Sequence, residues 1–176
     1  MKSIVSFAGS ISKNSINKQL VNYAGQFVNI GQVKLLDLND YELPLFGVDL
    51  QNEKGIPDNA YRFLKEIQSA DGIILSLAEH NGAYTTAFKN IFDWMSRIDG
   101  KLWNEIPMLL MATSPGRRGG ASVLQIAKNR FPYMGGNIVA EFCLPSFNEN
   151  FKGGKIIDKE LNTALKISIE TFKEAI

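Results

Sequence analysis

The sequence predicts an α/β protein with a doubly wound parallel sheet and helices on both faces. Its 176 residues suit a single domain, over residues 1–176, that is large enough to bury a core. Five short runs, apolar on both faces as buried parallel strands are, alternate with five helical patterns. No internal repeat or low-complexity tract interrupts this alternation. In such sheets ligands bind beyond the carboxyl ends of the strands, where the strand order switches.

The strands are identified as short apolar runs that are flanked by turn residues. Gly9 ends the first run, and Asp71-Gly72 precedes the third. Prolines and glycines between residues 44 and 57 indicate a loop after the second run. The expected strands are residues 2–8, 33–38, 72–78, 107–113 and 137–143.

The helices are identified by apolar residues that recur at spacings of three and four. In the second helix Tyr61, Leu64 and Ile67 follow this spacing, and Asp158 is the expected N-cap of the last helix. The third helix is apolar around most of its circumference, which indicates burial on two sides and a subunit interface, with Trp94 as ordinary core the alternative. The expected helices are residues 15–28, 59–70, 85–98, 120–131 and 158–175.

Composition excludes several classes of protein. The formal net charge is +1 and the lysines are spread along the chain, which disfavours nucleic-acid binding and an acidic electron-carrier surface. The apolar run before Gly9 is too short for a signal peptide, and no run is long enough to cross a bilayer, so we expect a cytoplasmic protein without membrane contact. Cys143 is the single cysteine, so an intrachain disulfide is impossible and a buried, inert thiol is expected. No catalytic triad, paired carboxylates or metal-ligand cluster is recognised.

The loop after the first strand is rich in groups that can bind a phosphate. Gly9 is its only glycine, which excludes the three-glycine dinucleotide fingerprint and the Walker loop. The loop leads into a helix N-terminus, which favours an anion, and no Asp or Glu precedes Asp37. An external phosphate is therefore expected, with simple helix capping by Asn14 or Ser15 as the alternative. The candidate donors are Ser10, Ser12, Lys13, Asn14, Ser15 and Asn17.

Three segments of the sequence stand out as motifs: residues 9–17 read GSISKNSIN, residues 78–82 read AEHNG, and residues 89–94 read KNIFDW. Together they resemble motifs of the NADPH-dependent FMN reductase family. The family typically has Arg at the position of Ser12, Tyr at that of His80 and Pro at that of Ala78. Asn81-Gly82 also signals a turn with positive φ, and Thr85 or Thr86 can cap the next helix. The resemblance covers essentially the whole chain.

The resemblance implies a fold and an activity. The fold would be flavodoxin-like, with strand order 2-1-3-4-5. The activity would be hydride transfer from NADPH, through non-covalently bound FMN, to a small acceptor such as a quinone, a flavin, an azo dye or a metal oxyanion. The flavin would carry the chemistry, so no catalytic side chain is expected. A homodimer or homotetramer is implied, and the alternatives are a flavodoxin-type electron carrier and an FMN-binding module with little turnover.

The resemblance also assigns residues to the cofactor, and two adjacent cations in the loop after the fourth strand are suited to the nucleotide. The backbone of 79–82 would face the polar edge of the flavin ring, with His80 resting against the ring or, alternatively, exposed in the loop. Glu79 would contact the ligand or, alternatively, be an exposed loop acid. Arg117 and Arg118 would bind a phosphate of the nucleotide, with solvated loop charge as the alternative. The expected cofactor-binding residues are Ser10, Ser12, Lys13, Ser15, Ile16, Asn17, Glu79, His80, Asn81, Gly82, Ser114, Pro115, Gly116, Gly119 and Gly120.

Overall fold

The structure, a computed structural model that describes all residues 1–176, is built around a five-stranded parallel sheet. The strands are β1 Lys2–Ala8, β2 Gly31–Leu36, β3 Gly72–Leu77, β4 Glu79–His80, β5 Ala83–Tyr84, β6 Pro107–Thr113, β7 Asn137–Leu144, β8 Phe151–Lys152 and β9 Lys155–Ile156. The sheet has the order β2-β1-β3-β6-β7, and all its neighbours are parallel. Counted by sheet strands alone this is 2-1-3-4-5, so the predicted topology is confirmed. The pairs β4-β5 and β8-β9 are short antiparallel hairpins.

Helices cover both faces of the sheet, as a doubly wound fold requires. The helices are α1 Ile16–Gly25, α2 Val48–Lys54, α3 Asp58–Gln68, α4 Thr86–Ile98, α5 Ala121–Arg130, α6 Phe147–Asn150 and α7 Lys159–Glu174, with 3₁₀ turns at Leu38–Tyr41 and Phe131–Met134. Residues of α3, α4 and α5 form one core with one face of the sheet, and residues of α1 and α7 form a second core with the other. Adjacent strand residues such as Ile73 and Ile74 belong to different cores, which explains why the strands are apolar on both faces. Asp158 caps α7 as expected, accepting a hydrogen bond from Leu161 N at 2.9 Å.

Several elements differ in detail from the sequence prediction. Helix α2, Val48–Lys54, lies within the segment between residues 44 and 57 that the sequence predicts as a loop, because Gly47 and Gly55 stand at its two caps and do not interrupt it. Helix α1 ends at Gly25, earlier than the predicted residue 28. Strand β2 covers residues 31–36 and not 33–38, because Asp37 accepts a hydrogen bond from Asn39 N at 3.0 Å and begins the 3₁₀ turn. In α3 Leu64 and Ile67 are buried as predicted, but the buried face includes Phe63 in place of Tyr61. Tyr61 is 50% exposed, whereas Phe63 is fully buried and packs edge-on against Phe7 with ring centroids 5.2 Å apart.

The wide apolar circumference of α4 is covered within one chain. Trp94 is fully buried, its Nε1 donates to Pro44 O at 2.8 Å, and its ring packs edge-on against Phe46 at 5.0 Å. Asn90 holds the same segment, since its Oδ1 accepts from Phe46 N at 2.8 Å and its Nδ2 donates to Pro44 O at 3.0 Å. The segment 43–46 thus covers the second side of α4. The alternative in which Trp94 is core therefore describes this helix, and its composition alone does not require a partner subunit.

No helix of the structure combines the length and the apolar character needed to cross a membrane.

Candidate functional site

Three loops meet at the carboxyl edge of the sheet, and side-chain hydrogen bonds join them. The first loop, residues 9–15, is joined to the segment before α4 by Thr85 Oγ1, which donates to Gly9 O at 2.8 Å. The hairpin β4-β5 is joined to the start of α5 by Glu79 Oε2, which accepts from Val123 N at 2.9 Å. The helix that follows the first loop is joined to the end of β6 by Asn17. The predicted site residues of the three loops are therefore brought to one edge.

The first loop presents free backbone donors at the start of α1. The amides of Lys13, Asn14, Ile16 and Asn17 donate no hydrogen bond to any protein acceptor. Ser15 caps α1, since its Oγ accepts from Lys18 N at 3.2 Å, and no acidic residue lies in the first turn of this helix. The capping alternative thus describes the Ser15 side chain and leaves the neighbouring N–H groups free. Such a group of amides at a helix N-terminus is suited to an anion.

The two lysines next to these amides differ in their availability. Lys18 forms an ion pair with Asp37. Burial raises the pKa of Asp37, but hydrogen bonds from Lys18 and from Asn39 outweigh this effect, so the pKa lies below its ordinary value. Lys13 is exposed and takes part in no ion pair. Lys13 is therefore the cation of this loop that can meet an incoming anion.

The side chain of Asn17 is committed to the protein itself. It is 2% exposed, its Nδ2 donates to Thr113 O at 3.1 Å, and its Oδ1 accepts from Thr113 N at 3.0 Å and from Ser76 Oγ at 2.7 Å. These bonds fasten α1 to the ends of β3 and β6. Only the backbone N–H of Asn17 is left for a ligand, and the motif spacing gave no sign of this bracing role.

The hairpin β4-β5 has the turn that the sequence predicts. Asn81 and Gly82 have φ values of 52° and 78°, and His80 pairs with Ala83 across the turn. A Cβ added at Gly82 would meet nothing within 4 Å, so space is open beside this backbone. His80 is exposed, and its side chain makes no hydrogen bond within the chain. The hairpin therefore presents accessible backbone and one flat side chain at the sheet edge.

The loop after β6 is shaped by its two glycines. Gly119 and Gly120 have φ values of 58° and 87°, and a Cβ there would lie 2.7 Å from Leu144 O and 2.9 Å from the Ala112 Cβ, respectively. Side chains are excluded at both positions by backbone conformation and by space. Backbone hydrogen bonds from residues 146 and 147 to Gly116 O at 2.9 Å and to Ser114 O at 3.0 Å hold the other end of the loop.

Arg117 and Arg118 lie in this loop and remain free. Both side chains are exposed, and neither forms an ion pair. Ser114 and Pro115 precede them at the accessible end of the loop. Both arginines are therefore accessible in the loop after β6, and their role toward a nucleotide stays a prediction.

Cys143 contacts the same loop and should react slowly with alkylating reagents. Its half-buried Sγ donates to Gly119 O at 3.0 Å, and burial, followed by the charges of Glu79 and Glu141, raises its pKa to about 11. The thiolate is the reactive form, so the rate with iodoacetamide should stay low at pH 7–9 and rise toward pH 11. The urea-unfolded chain is the control and should reach its plateau about two pH units earlier, in line with an ordinary thiol. Equal rates at pH 8 for folded and unfolded protein would contradict the shift.

A cleft on the β2 side of the first loop was not predicted from the sequence. It has a volume of about 590 Å³. Its walls come from the first loop, from residues 38–45 and from the start of α4, and they include Ile11, Tyr41, Leu45 and Asn90. It does not lie between the hairpin β4-β5 and the loop after β6, where the flavin ring is expected. The sequence feature that relates to this cleft is the motif KNIFDW, because its Asn90 and Trp94 hold the segment 43–46 of one wall by hydrogen bonds.

Comparison with known proteins decides the family. The model of the NADPH-dependent FMN reductase family matches residues 2–149. The chain belongs to this family. The resemblance carried by the three sequence motifs is therefore confirmed.

Relatives of this FMN reductase family member include quinone reductases. The quinone reductase of Escherichia coli (strain K12) is 27% identical over 118 residues, which are 67% of this chain and 63% of that protein. A 2-hydroxy-1,4-benzoquinone reductase of a Burkholderia species is 31% identical over 123 residues, or 64% of this chain and 61% of that protein. This chain thus spans less than two thirds of the length of either relative.

Solved structures support the fold of this family member. The flavoenzyme FerB, an NAD(P)H:(acceptor) oxidoreductase from Paracoccus denitrificans, superposes with a TM-score of 0.77 at 24% identity. The match covers 99% of this chain and 96% of FerB. The flavodoxin-like arrangement is therefore shared over essentially the full chain.

Proposed function

We propose that the protein is an FMN-dependent oxidoreductase that transfers hydride from NADPH to a small acceptor such as a quinone, a flavin, an azo dye or a metal oxyanion. The observation that carries the proposal is the group of free amides beside Lys13 at the start of α1. These donors fit the phosphate of FMN, since the chain supplies no acid of its own at this helix start. The open backbone at Gly82, and that at Gly116, where an added Cβ would meet only Ser114 Oγ at 3.8 Å, fit a flat ring approaching the other two loops.

The residues of the chain would act by binding and orienting. The first loop would hold the phosphate through the free amides and Lys13. The backbone of 79–82 and of 114–116 would face the ring, and His80, exposed at the hairpin, would lie against it. Bound FMN supplies the ring that accepts and passes on the hydride. Backbone N–H groups near that ring would stabilise negative charge as it develops.

Steady-state turnover tests this proposal against its alternatives. Protein loaded with FMN should oxidise NADPH continuously when benzoquinone is added, as followed by the loss of absorbance at 340 nm. The apoprotein, freed of FMN, is the control and should show background rates only. An electron carrier or a binding module would instead hold FMN without accepting hydride from NADPH, so oxidation of NADPH would stay at the background rate. That result would refute the enzymatic function and leave FMN binding intact.

Arg117 and Arg118 should select NADPH over NADH about tenfold to a hundredfold in kcat/KM. NADPH carries one additional phosphate, and one charge-assisted hydrogen bond to it contributes roughly 1.5–3 kcal/mol. The variant Arg117→Ala with Arg118→Ala should lose most of this preference and keep its FMN content. Salt should reduce the preference of the wild type, since both side chains are exposed.

A matched control separates this effect from a general loss of positive charge. Lys65→Ala with Lys101→Ala also removes two cations, from residues near the opposite edge of the sheet. It should leave the ratio of the two nucleotides unchanged. A ratio that survives the double arginine change would show that the arginines are solvated loop charge.

We also propose that the protein acts in the cytoplasm as a homodimer or homotetramer. The exposed apolar side chains near the cleft support self-association: Ile11, Leu45 and Val48 are 54%, 72% and 60% exposed. Light scattering at micromolar concentration should give at least twice the monomer mass, and Leu45→Asp with Val48→Asp should lower it. Ile167→Asp is the control, since Ile167 is similarly exposed (62%) but lies on α7. A monomeric wild type would refute this proposal.

A further inference from the structure

Helix α5 begins without a cap from its own segment. Gly120 occupies the N-cap position, no side chain there accepts a hydrogen bond, and the first turn contains no acid. The free N–H groups of a helix start are usually satisfied by a nearby Ser, Thr, Asp or Asn. In α5 the N–H of the third residue, Val123, is instead bound by Glu79 Oε2 at 2.9 Å. A carboxylate from the hairpin β4-β5 thus supplies both the hydrogen bond and the negative charge.

The local sequence cannot supply this cap because of space. A Cβ at Gly120 would lie 2.9 Å from the Ala112 Cβ, and the φ of 87° disfavours any side chain. The same holds at Gly119, whose Cβ would lie 2.7 Å from Leu144 O. The close approach of this loop to β6 and β7 therefore demands glycine at the very position where a capping residue would stand. The cap has to come from a different loop.

The bond between Glu79 and Val123 is also the only direct hydrogen bond between its two segments. Among all residues 1–176, no other hydrogen bond joins the hairpin 79–84 to residues 114–123. The remaining bonds tie each segment elsewhere. Thr85, just after the hairpin, binds Gly9 in the first loop, and residues 146 and 147 bind the loop after β6. Without Glu79 the two segments would be held together by packing alone.

We propose that Glu79 is a positioning residue that fixes the hairpin β4-β5 relative to the loop after β6 and so prepares the two backbone surfaces that receive the flavin. The inference rests on the proposed function in naming the flavin, whereas the link between the loops is independent of it. The Glu79 carboxylate would act through Val123 and need not touch the cofactor. This role differs from the cofactor contact that the motif resemblance suggests for Glu79.

Three variants test the proposal. Glu79→Ala removes the cap, Glu79→Gln keeps an oxygen that can accept from Val123 N, and Asp158→Ala removes a matched cap, the 2.9 Å bond to Leu161 N in α7. Amide hydrogen exchange of the apoprotein reports the link between the loops. FMN affinity, from quenching of flavin fluorescence, reports its consequence.

Glu79→Ala should speed exchange at residues 116–123 and raise the FMN Kd by about three- to thirtyfold, the range expected for loss of one helix cap. Glu79→Gln should keep exchange at residues 116–123 and the FMN Kd close to their wild-type values. Asp158→Ala should lower thermal stability by a similar amount, with exchange at 116–123 and FMN affinity unchanged. This last result would separate positioning from a general loss of stability.

The outcomes also separate this inference from the proposed function. Wild-type protein that binds no FMN would refute the cofactor, while hydrogen exchange would still decide whether Glu79 joins the loops. Unchanged exchange in Glu79→Ala would overturn the link. Faster exchange with unchanged FMN affinity would overturn the positioning role, as would an equal loss of FMN affinity in Asp158→Ala.

Discussion

FMN should bind the wild-type apoprotein at least a hundredfold more tightly than riboflavin. The two molecules differ by the phosphate alone, and the start of α1 offers it the free amides of Lys13, Asn14, Ile16 and Asn17. A hydrogen bond to a charged group contributes roughly 1.5–3 kcal/mol. Two such bonds already correspond to about a hundredfold difference in Kd, since every 1.4 kcal/mol changes the Kd by a factor of ten. Equal Kd values for the two flavins would refute the phosphate role of the first loop.

Lys13 should account for the part of this preference that depends on salt. Lys13→Ala should weaken the binding of FMN by about tenfold at low salt, as expected for the loss of one charge-assisted contact. The binding of riboflavin should be unaffected. The loss should shrink at high salt because the side chain is exposed. Lys65→Ala is the matched control, since Lys65 is also exposed and forms no ion pair. An equal loss in both variants would assign the effect to net charge and not to the site.

The fold was predictable because its signals are local. Each buried strand is a short apolar run, and the turn Asn81-Gly82 needs only its two residues to adopt positive φ. The strand order was not visible in these local patterns and came from the family resemblance. The spacing within α3 correctly gave Leu64 and Ile67 as buried, but Phe63 is buried in place of Tyr61 because it packs against Phe7, which the spacing does not record.

The site was predictable in its loops but not in the roles of its side chains. A side chain's partner can lie far along the chain: Glu79 and Val123 are 44 residues apart, and Asn17 and Thr113 are 96 apart. No pattern within one loop records such a pairing. Lys18 stands in the first turn of α1, and only the approach of Asp37, which follows β2, shows that its charge is paired within the chain.

Asn17→Ala should lower the free energy of unfolding of the apoprotein by about 3–5 kcal/mol, since each buried group left without a partner costs roughly 1–3 kcal/mol. The substitution would leave the backbone N–H and C=O of Thr113 and the hydroxyl of Ser76 without the hydrogen-bond partner that Asn17 provides. Thr113 and Ser76 are 1% and 0% exposed, so water cannot replace these bonds. Because the free energy of unfolding of a domain of this kind is about 5–15 kcal/mol in total, much of its stability would be lost. Urea denaturation without FMN measures this change.

Asn39→Ala is the control that separates burial from residue type. Asn39 also donates through its side chain, to Ile11 O at 3.2 Å and to Asp37 Oδ1 at 2.7 Å, but it is exposed. Water can replace those bonds, so the loss should be only about 0.5–1.5 kcal/mol.

Asn17→Asp should not rescue stability, because its second oxygen would face Thr113 O, where Asn17 now donates. If the Asn17 side chain instead served FMN directly, Asn17→Ala would leave the apoprotein as stable as the wild type and weaken only the binding of FMN. Apoprotein stability therefore decides between bracing of the strands and contact with the cofactor.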